Sequence, residues 1–162
     1  MTHRASHALS PHMFRALLEL CRISNLPTVW TNVIAAWVLS NGGWRWDPRL
    51  GWLLLGASLV YSAGMILNDA ADANWDRVHR PERPIPSGRV SSRMAWSLSM
   101  LGLASGYALM VICGGAGALI TLALLIAIGA YDFYHKQWAG SVLVMGACRT
   151  SLNTAARLKY SR

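Results

Sequence analysis

The sequence predicts an all-α fold, a polytopic transmembrane helical bundle. Of the 162 residues, 54% are hydrophobic and 14% are charged, whereas a soluble domain is about 25% charged. Asp, Glu, Lys and Arg are absent from three long runs, 23–44, 50–68 and 94–131. A membrane-crossing helix needs about 20 mainly apolar residues, and a helix of a soluble bundle needs a polar face. The runs therefore argue against a water-soluble globule, a secreted disulfide scaffold and a disordered tail.

Turn-forming or charged residues bound each predicted span. We expect four full spans and a partial fifth, over about Leu26–Ser40, Leu50–Leu67, Met94–Ile112, Ala118–Tyr134 and Gly140–Ala147. The segment Asn41–Gly43 ends the first span, and the glycine-rich Cys113–Gly117 predicts a tight turn after the third, because glycine breaks helices.

Residues 1–22 are predicted to form a separate cytoplasmic N-terminal segment before the membrane domain, 23–162. This segment has no apolar core of a signal peptide. Phe14, Leu17, Leu18 and Cys21 recur at helical spacing, which favours an amphipathic helix at the membrane surface.

The net charge is +8, and its distribution predicts topology. The N-terminal segment, the stretch 68–93 and the loop at Lys136 carry nine Lys and Arg, against two in the loop between the first two spans. The positive-inside bias places the richer side in the cytoplasm. We therefore expect a multi-pass protein of the cytoplasmic membrane whose basic residues contact lipid head groups, not nucleic acid.

A cluster of acids follows the second span. Asp69, Asp72 and Asp76 occupy positions i, i+3 and i+7, which share one face of a helix. Three like charges on one face repel, and a divalent cation would relieve the repulsion. Carboxylate oxygens, with the amide oxygen of Asn68, suit Mg²⁺ completed by substrate phosphates. The alternative is a solvated loop whose acids pair with nearby arginines.

The next segment, Arg77–Arg89, contains three prolines and a glycine that predict an irregular loop. Arg77, Arg80 and Arg83 stand close to the acids in sequence. Arginine binds phosphate oxygens bidentately. Ordinary positive-inside charge is the alternative explanation.

These motifs resemble the UbiA superfamily of intramembrane aromatic prenyltransferases. The resemblance rests on the Asp motif Asn68–Asp76 followed by Arg83–Gly88, on Asn25–Asn32 in the first span, and on Tyr131–Lys136 after the fourth. It covers about residues 22–149.

The resemblance implies nine transmembrane helices around a central cavity, and prenyl transfer from a polyprenyl diphosphate to an aromatic or quinone-precursor acceptor in isoprenoid biosynthesis. It implies a Mg²⁺-diphosphate site and a catalytic set of Asp69, Asp72, Asp76 and Lys136. The implied metal ligands are Asn68, Asp69, Asp72 and Asp76. The implied substrate-binding residues are Asn32, Asn68, Arg77, Arg80 and Tyr131, with Lys136 also on the diphosphate. For Asn32, a hydrogen bond between helices is an equal alternative.

The sequence departs from the family pattern in its second half. The family's second Asp-rich motif is absent, and 137–162 contain no acid. We therefore expect a truncated domain, a fragment, or a half that pairs with a second chain, and no prenyl transfer by this chain alone. The alternative functions are a non-catalytic isoprenoid or diphosphate binder and a small transporter.

Overall fold

The computed structural model describes residues 11–114 and residue 126. Within them the chain is helical and contains no strand, which confirms the all-α prediction for this part. A short 3₁₀ turn, Ile23–Asn25, links the first two helices. The five α-helices are α1 Pro11–Leu20, α2 Leu26–Asn41, α3 Pro48–Ala71, α4 Ala73–His79 and α5 Ser92–Gly114.

Two described helices are long and apolar enough to cross a membrane: α3, and α5 over Ser92–Ile112. They correspond to the second and third predicted spans. The first predicted span is the 16-residue helix α2. The fourth span and the partial fifth lie outside the described residues, apart from residue 126, so four full spans stay a prediction.

Local chemistry explains where the helices begin and end. The Asp47 carboxylate accepts a hydrogen bond from the Arg49 backbone N–H at 2.8 Å, and Pro48 occupies the first turn of α3. Proline suits this turn because a backbone N–H at this position would have no intrahelical partner, so its absence costs no hydrogen bond. Gly42 ends α2 with φ 67°, a left-handed conformation that glycine adopts without steric cost. The helix α5 continues through Cys113 and Gly114, where the sequence predicted the start of a turn.

Helices α3 and α5 pack closely through small residues. A Cβ added to Gly102 would lie 2.8 Å from the Cβ of Ala63, and one added to Gly106 would lie 2.8 Å from Cγ2 of Val60. Both distances are too short for a real side chain. Small residues at such positions let two helix backbones approach, which is a common basis of packing in membranes.

Polar side chains connect α2 and its preceding turn to α3. The indole N–H of Trp30 donates to Oγ of Ser58 at 2.9 Å. Nδ2 of Asn25 donates to the hydroxyl of Tyr61 at 3.0 Å. Each bond satisfies polar atoms that are costly to leave without partners in an apolar bundle.

A buried core joins α1, the end of α3, α4, the loop after it and the start of α5. Its members are Ala16, Leu20, Ile66, Ala70, Ala73, Ile85, Val90 and Ala95. This core fixes the segments that carry the acids and arginines. It therefore positions the candidate site at one end of the α3–α5 pair.

The N-terminal helix exists, but its buried face differs from the predicted stripe. Ala16 and Leu20 are fully buried, and Leu17 and Cys21 pack against the same core. Phe14 and Leu18 are exposed. The helix therefore docks on protein through only part of the predicted set, while its position at a membrane surface stays a prediction.

Candidate active site at the end of the α3–α5 pair

The acidic motif begins inside the apolar helix α3. The sequence placed the end of this span near Leu67, but α3 continues to Ala71 and includes Asp69 in its last turn. The Asp72 N–H bonds to the Asn68 carbonyl, and the Asp76 N–H bonds to the Asp72 carbonyl, both at 2.9 Å. The near-continuous helical path gives the acids the predicted spacing, with a turn at Asp72 between α3 and α4.

Two of the acids converge on one arginine. Nη1 of Arg83 lies 3.2 Å from Oδ1 of Asp69 and 2.8 Å from Oδ2 of Asp76. Asp69 is 7% exposed and Asp76 is 1% exposed. Buried carboxylates are stable only when they are paired and hydrogen-bonded. Arg83 supplies the opposite charge and a hydrogen bond to each of the two acids.

The loop after α4 places Arg83 by its own backbone contacts. The Ser87 N–H bonds to the Arg83 carbonyl at 3.0 Å, and the Val90 N–H bonds to the Pro84 carbonyl at 3.0 Å. Pro84, Ile85 and Val90 are buried. The prolines do produce the predicted irregular loop, although it begins only after His79, because α4 extends to that residue.

A second arginine, Arg22, contacts Asp69 from the short segment that follows α1. Nη2 of Arg22 lies 3.5 Å from Oδ1 of Asp69. Arg22 has φ 46°, and within the described residues no other non-glycine residue has a positive φ. This conformation is rare for residues with a Cβ, and it turns the chain between α1 and the 3₁₀ turn so that the guanidinium meets α3.

Sequence reasoning gave Arg22 no role at the site and did not select Arg83 among the site residues. No local feature of the sequence indicates this contact of Arg22, because the contact depends on a left-handed backbone turn at Arg22 and on a partner 47 positions away. Arg83 begins the Arg83–Gly88 motif, and its ion pairs with Asp69 and Asp76 are of the kind that the sequence offered as the alternative to a metal site, although both acids are buried and not solvated. The structure thus adds two arginines to the predicted site.

The other predicted residues of this region are less tightly gathered. Asn68 and Asp72 are half-buried. Arg77 is exposed and donates to Oδ1 of Asn74 at 3.2 Å. Arg80 is also exposed, with its guanidinium carbon 5.8 Å from the ring centre of Trp75. The assignment of these side chains to metal or diphosphate stays a prediction.

Two predicted site residues, Tyr131 and Lys136, lie outside the described residues. Asn32 is exposed on α2. Its predicted place in the wall of a cavity stays a prediction.

The described donors are chemically suited to Mg²⁺. Asp69 and Asp76 present carboxylate oxygens, which this hard cation prefers, and their oxygens already share a cationic partner, the Arg83 guanidinium. Across residues 11–114 and 126, no three His, Cys, Asp or Glu side chains lie close enough to hold a metal ion by themselves. A Mg²⁺ ion here would need further oxygens from substrate phosphate and water, as is usual for this ion.

Comparison with known proteins identifies the family. Residues 27–156 match the UbiA prenyltransferase family. The chain is 34% identical over 138 residues to a digeranylgeranylglyceryl phosphate synthase of Metallosphaera sedula, covering 83% of this chain and 48% of that protein. It is 31% identical over 126 residues to a 4-hydroxybenzoate octaprenyltransferase of Azotobacter vinelandii, covering 75% of this chain and 40% of that protein.

A solved structure shares the fold. It concerns a digeranylgeranylglyceryl phosphate synthase in membranes, and it aligns with a TM-score of 0.81 at 21% identity. The alignment covers 91% of this chain and 53% of the solved chain. The chain thus spans about half the length of the relatives it matches. From the match over residues 27–156, together with the Asp motif at the end of α3, the chain belongs to the UbiA prenyltransferase family of membrane proteins.

Proposed function

We propose that this protein serves Mg²⁺-dependent transfer of a prenyl group from a polyprenyl diphosphate to an acceptor within the membrane. The observation that carries the proposal is the convergence of buried Asp69 and Asp76 on Arg83 at the end of an apolar helix. Ionisable groups at such a position are costly, and they commonly mark substrate or ion sites.

The acids would hold the metal end of the donor. Asp69 and Asp76 lie on one side of the α3–α4 junction with their oxygens at one nitrogen, and Asn68 and Asp72 lie within the same helical stretch. Mg²⁺, when bound, neutralises the charge that develops on the leaving diphosphate. These four residues are the ligands we assign to it.

The basic residues would bind the phosphate oxygens. Arg77 and Arg80 are exposed on α4 and immediately after it, so both guanidinium groups are accessible to a donor that approaches the acids. Lys136 and Tyr131 are the residues we expect to close the site from a later loop. Cationic side chains placed where charge accumulates stabilise the departing group.

The apolar helices would hold the prenyl chain and exclude water. When the bond between the prenyl carbon and the diphosphate oxygen breaks, the electron pair leaves with the diphosphate and the prenyl carbon becomes an allylic cation. An acceptor then supplies the electron pair for the new bond and loses a proton. A water-poor site protects the cation from hydrolysis, which is a role for the bundle formed by α2, α3 and α5.

The acceptor that we expect from the sequence is an aromatic ring or a quinone precursor. The names of the relatives divide between a glyceryl phosphate and a hydroxybenzoate, so they support both a lipid and an aromatic acceptor. The metal, the cytoplasmic orientation of the Asp motif and a second chain that supplies further helices are likewise parts of the proposal.

Prenyl transfer by a full-length family member tests the proposed reaction. Replacing the aspartate equivalent to Asp76 with Asn should lower transfer by about 100-fold, on the scale of losing one transition-state electrostatic contact. Unchanged transfer would contradict the proposal. Diphosphate binding without transfer would favour the non-catalytic binder, and solute flux through proteoliposomes without chemical change would favour the transporter.

A further inference from the structure

We propose that exposed tryptophans and arginines at the turn between α2 and α3 form an interfacial anchor, which binds phospholipid head groups at the membrane face opposite the acids. The anchor consists of Trp44, Arg45, Trp46, Arg49 and Trp52. Its partner is a lipid surface, with the indole rings at the level of the head groups and the guanidinium groups on lipid phosphates. This inference concerns the far end of α3 and does not depend on the proposed function.

The three indole rings of the anchor are open to the surroundings of the protein. Trp46 is 81% exposed, Trp44 is 62% exposed and Trp52 is 52% exposed. A single exposed apolar residue is ordinary, but several together mark an interaction surface. Tryptophan is enriched where a membrane meets water, because its amphipathic ring sits at the level of the head groups.

The guanidinium groups of the anchor are complementary in charge to lipid phosphate. Arg45 and Arg49 are both exposed, and the ion pairs found within residues 11–114 and 126 involve neither of them. The carboxylate of the neighbouring Asp47 accepts the Arg49 backbone N–H at the start of α3. Arginine binds phosphate oxygens bidentately, so both side chains are suited to the head groups.

Hydrogen bonds satisfy backbone groups at and beside the turn that carries the anchor. The indole N–H of Trp37 donates to the Arg45 carbonyl at 2.9 Å. Nδ2 of Asn41 donates to the Trp37 carbonyl at 2.8 Å, and the Gly43 N–H bonds to the Val38 carbonyl at 3.0 Å. Backbone groups without partners are costly where water is scarce. These bonds therefore suit the turn to the boundary of a membrane.

The length of α3 places the anchor and the acids at opposite boundaries of the hydrocarbon core. Arg49 and Asp69 both belong to α3, and no charged residue lies between them. At about 1.5 Å per residue, α3 rises about 30 Å from one to the other, which is about the thickness of the core. Arg49 and Trp52, at positions i and i+3 on one face, then lie at the boundary far from Asp69.

The shorter helix α2 explains why the turn itself carries part of the anchor. The helix has 16 residues and rises about 24 Å, which is less than the thickness of the core. A short span is accommodated when flanking side chains extend to the interface. Trp44, Arg45 and Trp46 follow the end of α2 and are the flanking residues available for this role.

Quenching by spin-labelled lipids tests the position of the indole rings. The full chain is placed in nanodiscs of phosphatidylcholine and phosphatidylglycerol that carry a nitroxide either on the choline head group or near the end of an acyl chain. The emission lost in the double variant Trp44→Phe, Trp46→Phe isolates these two rings. The head-group nitroxide should quench this emission at least about twofold more than the chain-end nitroxide. The single variant Trp46→Phe repeats the measurement with one substitution at the most exposed ring.

Trp30 provides the depth control for this measurement. It is 43% exposed, and its indole donates to Ser58, which lies about 14 Å along α3 from Arg49 and hence near the middle of the core. The emission lost in Trp30→Phe should be quenched more by the chain-end nitroxide. The same preference for Trp44 and Trp46 would overturn the proposal. Quenching of these two by aqueous iodide alone would show that water covers them, and protection from every quencher would show that protein does; either result also overturns it.

Lipid phosphorus tests the guanidinium groups of the anchor. The chain is isotopically labelled at the arginine Cζ atoms, and solid-state NMR measures how strongly the phosphorus of the nanodisc lipids dephases their signal. The signal lost in the double variant Arg45→Gln, Arg49→Gln isolates the two guanidinium carbons. This signal should dephase as expected for a guanidinium hydrogen-bonded to phosphate. A difference signal without dephasing would overturn the proposed contact with lipid phosphates.

Discussion

Nη1 of Arg89 lies 3.0 Å from Oε2 of Glu19, a contact that joins the loop after α4 to the N-terminal helix. Arg89 also donates to the Glu82 carbonyl at 2.7 Å and to Oγ of Ser87 at 3.1 Å. It thus organises its own loop as well as the contact with α1. Arg89 therefore holds the loop that carries Arg83 both by hydrogen bonds within the loop and by the ion pair with α1.

The two partners of this contact should differ in their effect on stability. Glu19→Ala removes one exposed ion pair and should cost less than about 1 kcal/mol. Arg89→Ala also removes two hydrogen bonds within the loop, and we expect a loss of about 1–2 kcal/mol. Thermal unfolding in detergent measures both. A larger loss for Glu19→Ala would contradict the role given to Arg89.

Docking of α1 on the core predicts a contrast between two leucines. Leu20→Ala removes a fully buried side chain and should lower the free energy of unfolding by about 2–5 kcal/mol. Leu18→Ala is the control, because Leu18 is exposed in this structure and its loss should be small. Denaturant titration measures the difference, and equal losses would show that α1 does not pack through Leu20.

The close approach of α3 and α5 predicts opposite effects of alanine at two glycines. A Cβ at Gly106 would lie 2.8 Å from Val60 and 2.9 Å from the Gly56 carbonyl, so Gly106→Ala should destabilise by about 1–3 kcal/mol. Gly51 lies in α3 with nothing within 4 Å of an added Cβ. Gly51→Ala should therefore be neutral or stabilise by up to about 1 kcal/mol.

Melting temperatures of the two variants in the same detergent check this prediction. If Gly106→Ala melts at or above the temperature of Gly51→Ala, the described packing of the two helices is wrong.

Burial of Cys21 predicts a slowly reacting thiol. Burial raises the pKa of the Cys21 thiol, so less thiolate is present at a given pH than in an ordinary cysteine, and the thiolate is the reactive form. Alkylation of Cys21, followed by peptide mass spectrometry, should be slower than that of glutathione at pH 8 and should continue to rise above the pH at which glutathione levels off. A rate equal to that of glutathione across this pH range would contradict the burial.

The sequence predicts the helices well where apolar runs decide them. The charge-free runs locate α2, α3 and α5, because a long stretch without charge has few alternatives to a spanning helix. The end of α3 was misplaced because Asn68 and Asp69 are polar, although the helix continues through them to bury Asp69 on its core-facing side. The sequence predicts the buried face of α1 only in part. Contacts with the rest of the core, and not the apolar pattern of the helix itself, determine that Ala16 and Leu20 are buried.

The site is predictable in composition but not in pairing. The spacing of Asp69 and Asp76 places both on one helical path, and this can be deduced from periodicity alone. That Arg83 bridges them, while Arg77 and Arg80 remain exposed, depends on the course of a proline-rich loop. Charge and proximity in sequence treat the three arginines alike, so only the fold distinguishes them.

The most direct test of the central claim is Mg²⁺-dependent binding of geranylgeranyl diphosphate to this chain in lipid nanodiscs. We compare Asp76→Asn with Glu82→Gln, which removes an equal charge from an exposed position of the neighbouring loop. If the buried acids hold the Mg²⁺-diphosphate, Asp76→Asn weakens Mg²⁺-dependent binding by at least about tenfold, or 1.4 kcal/mol, and Glu82→Gln leaves it unchanged. Equal binding by the two variants, or binding that does not require a divalent cation, would contradict the account.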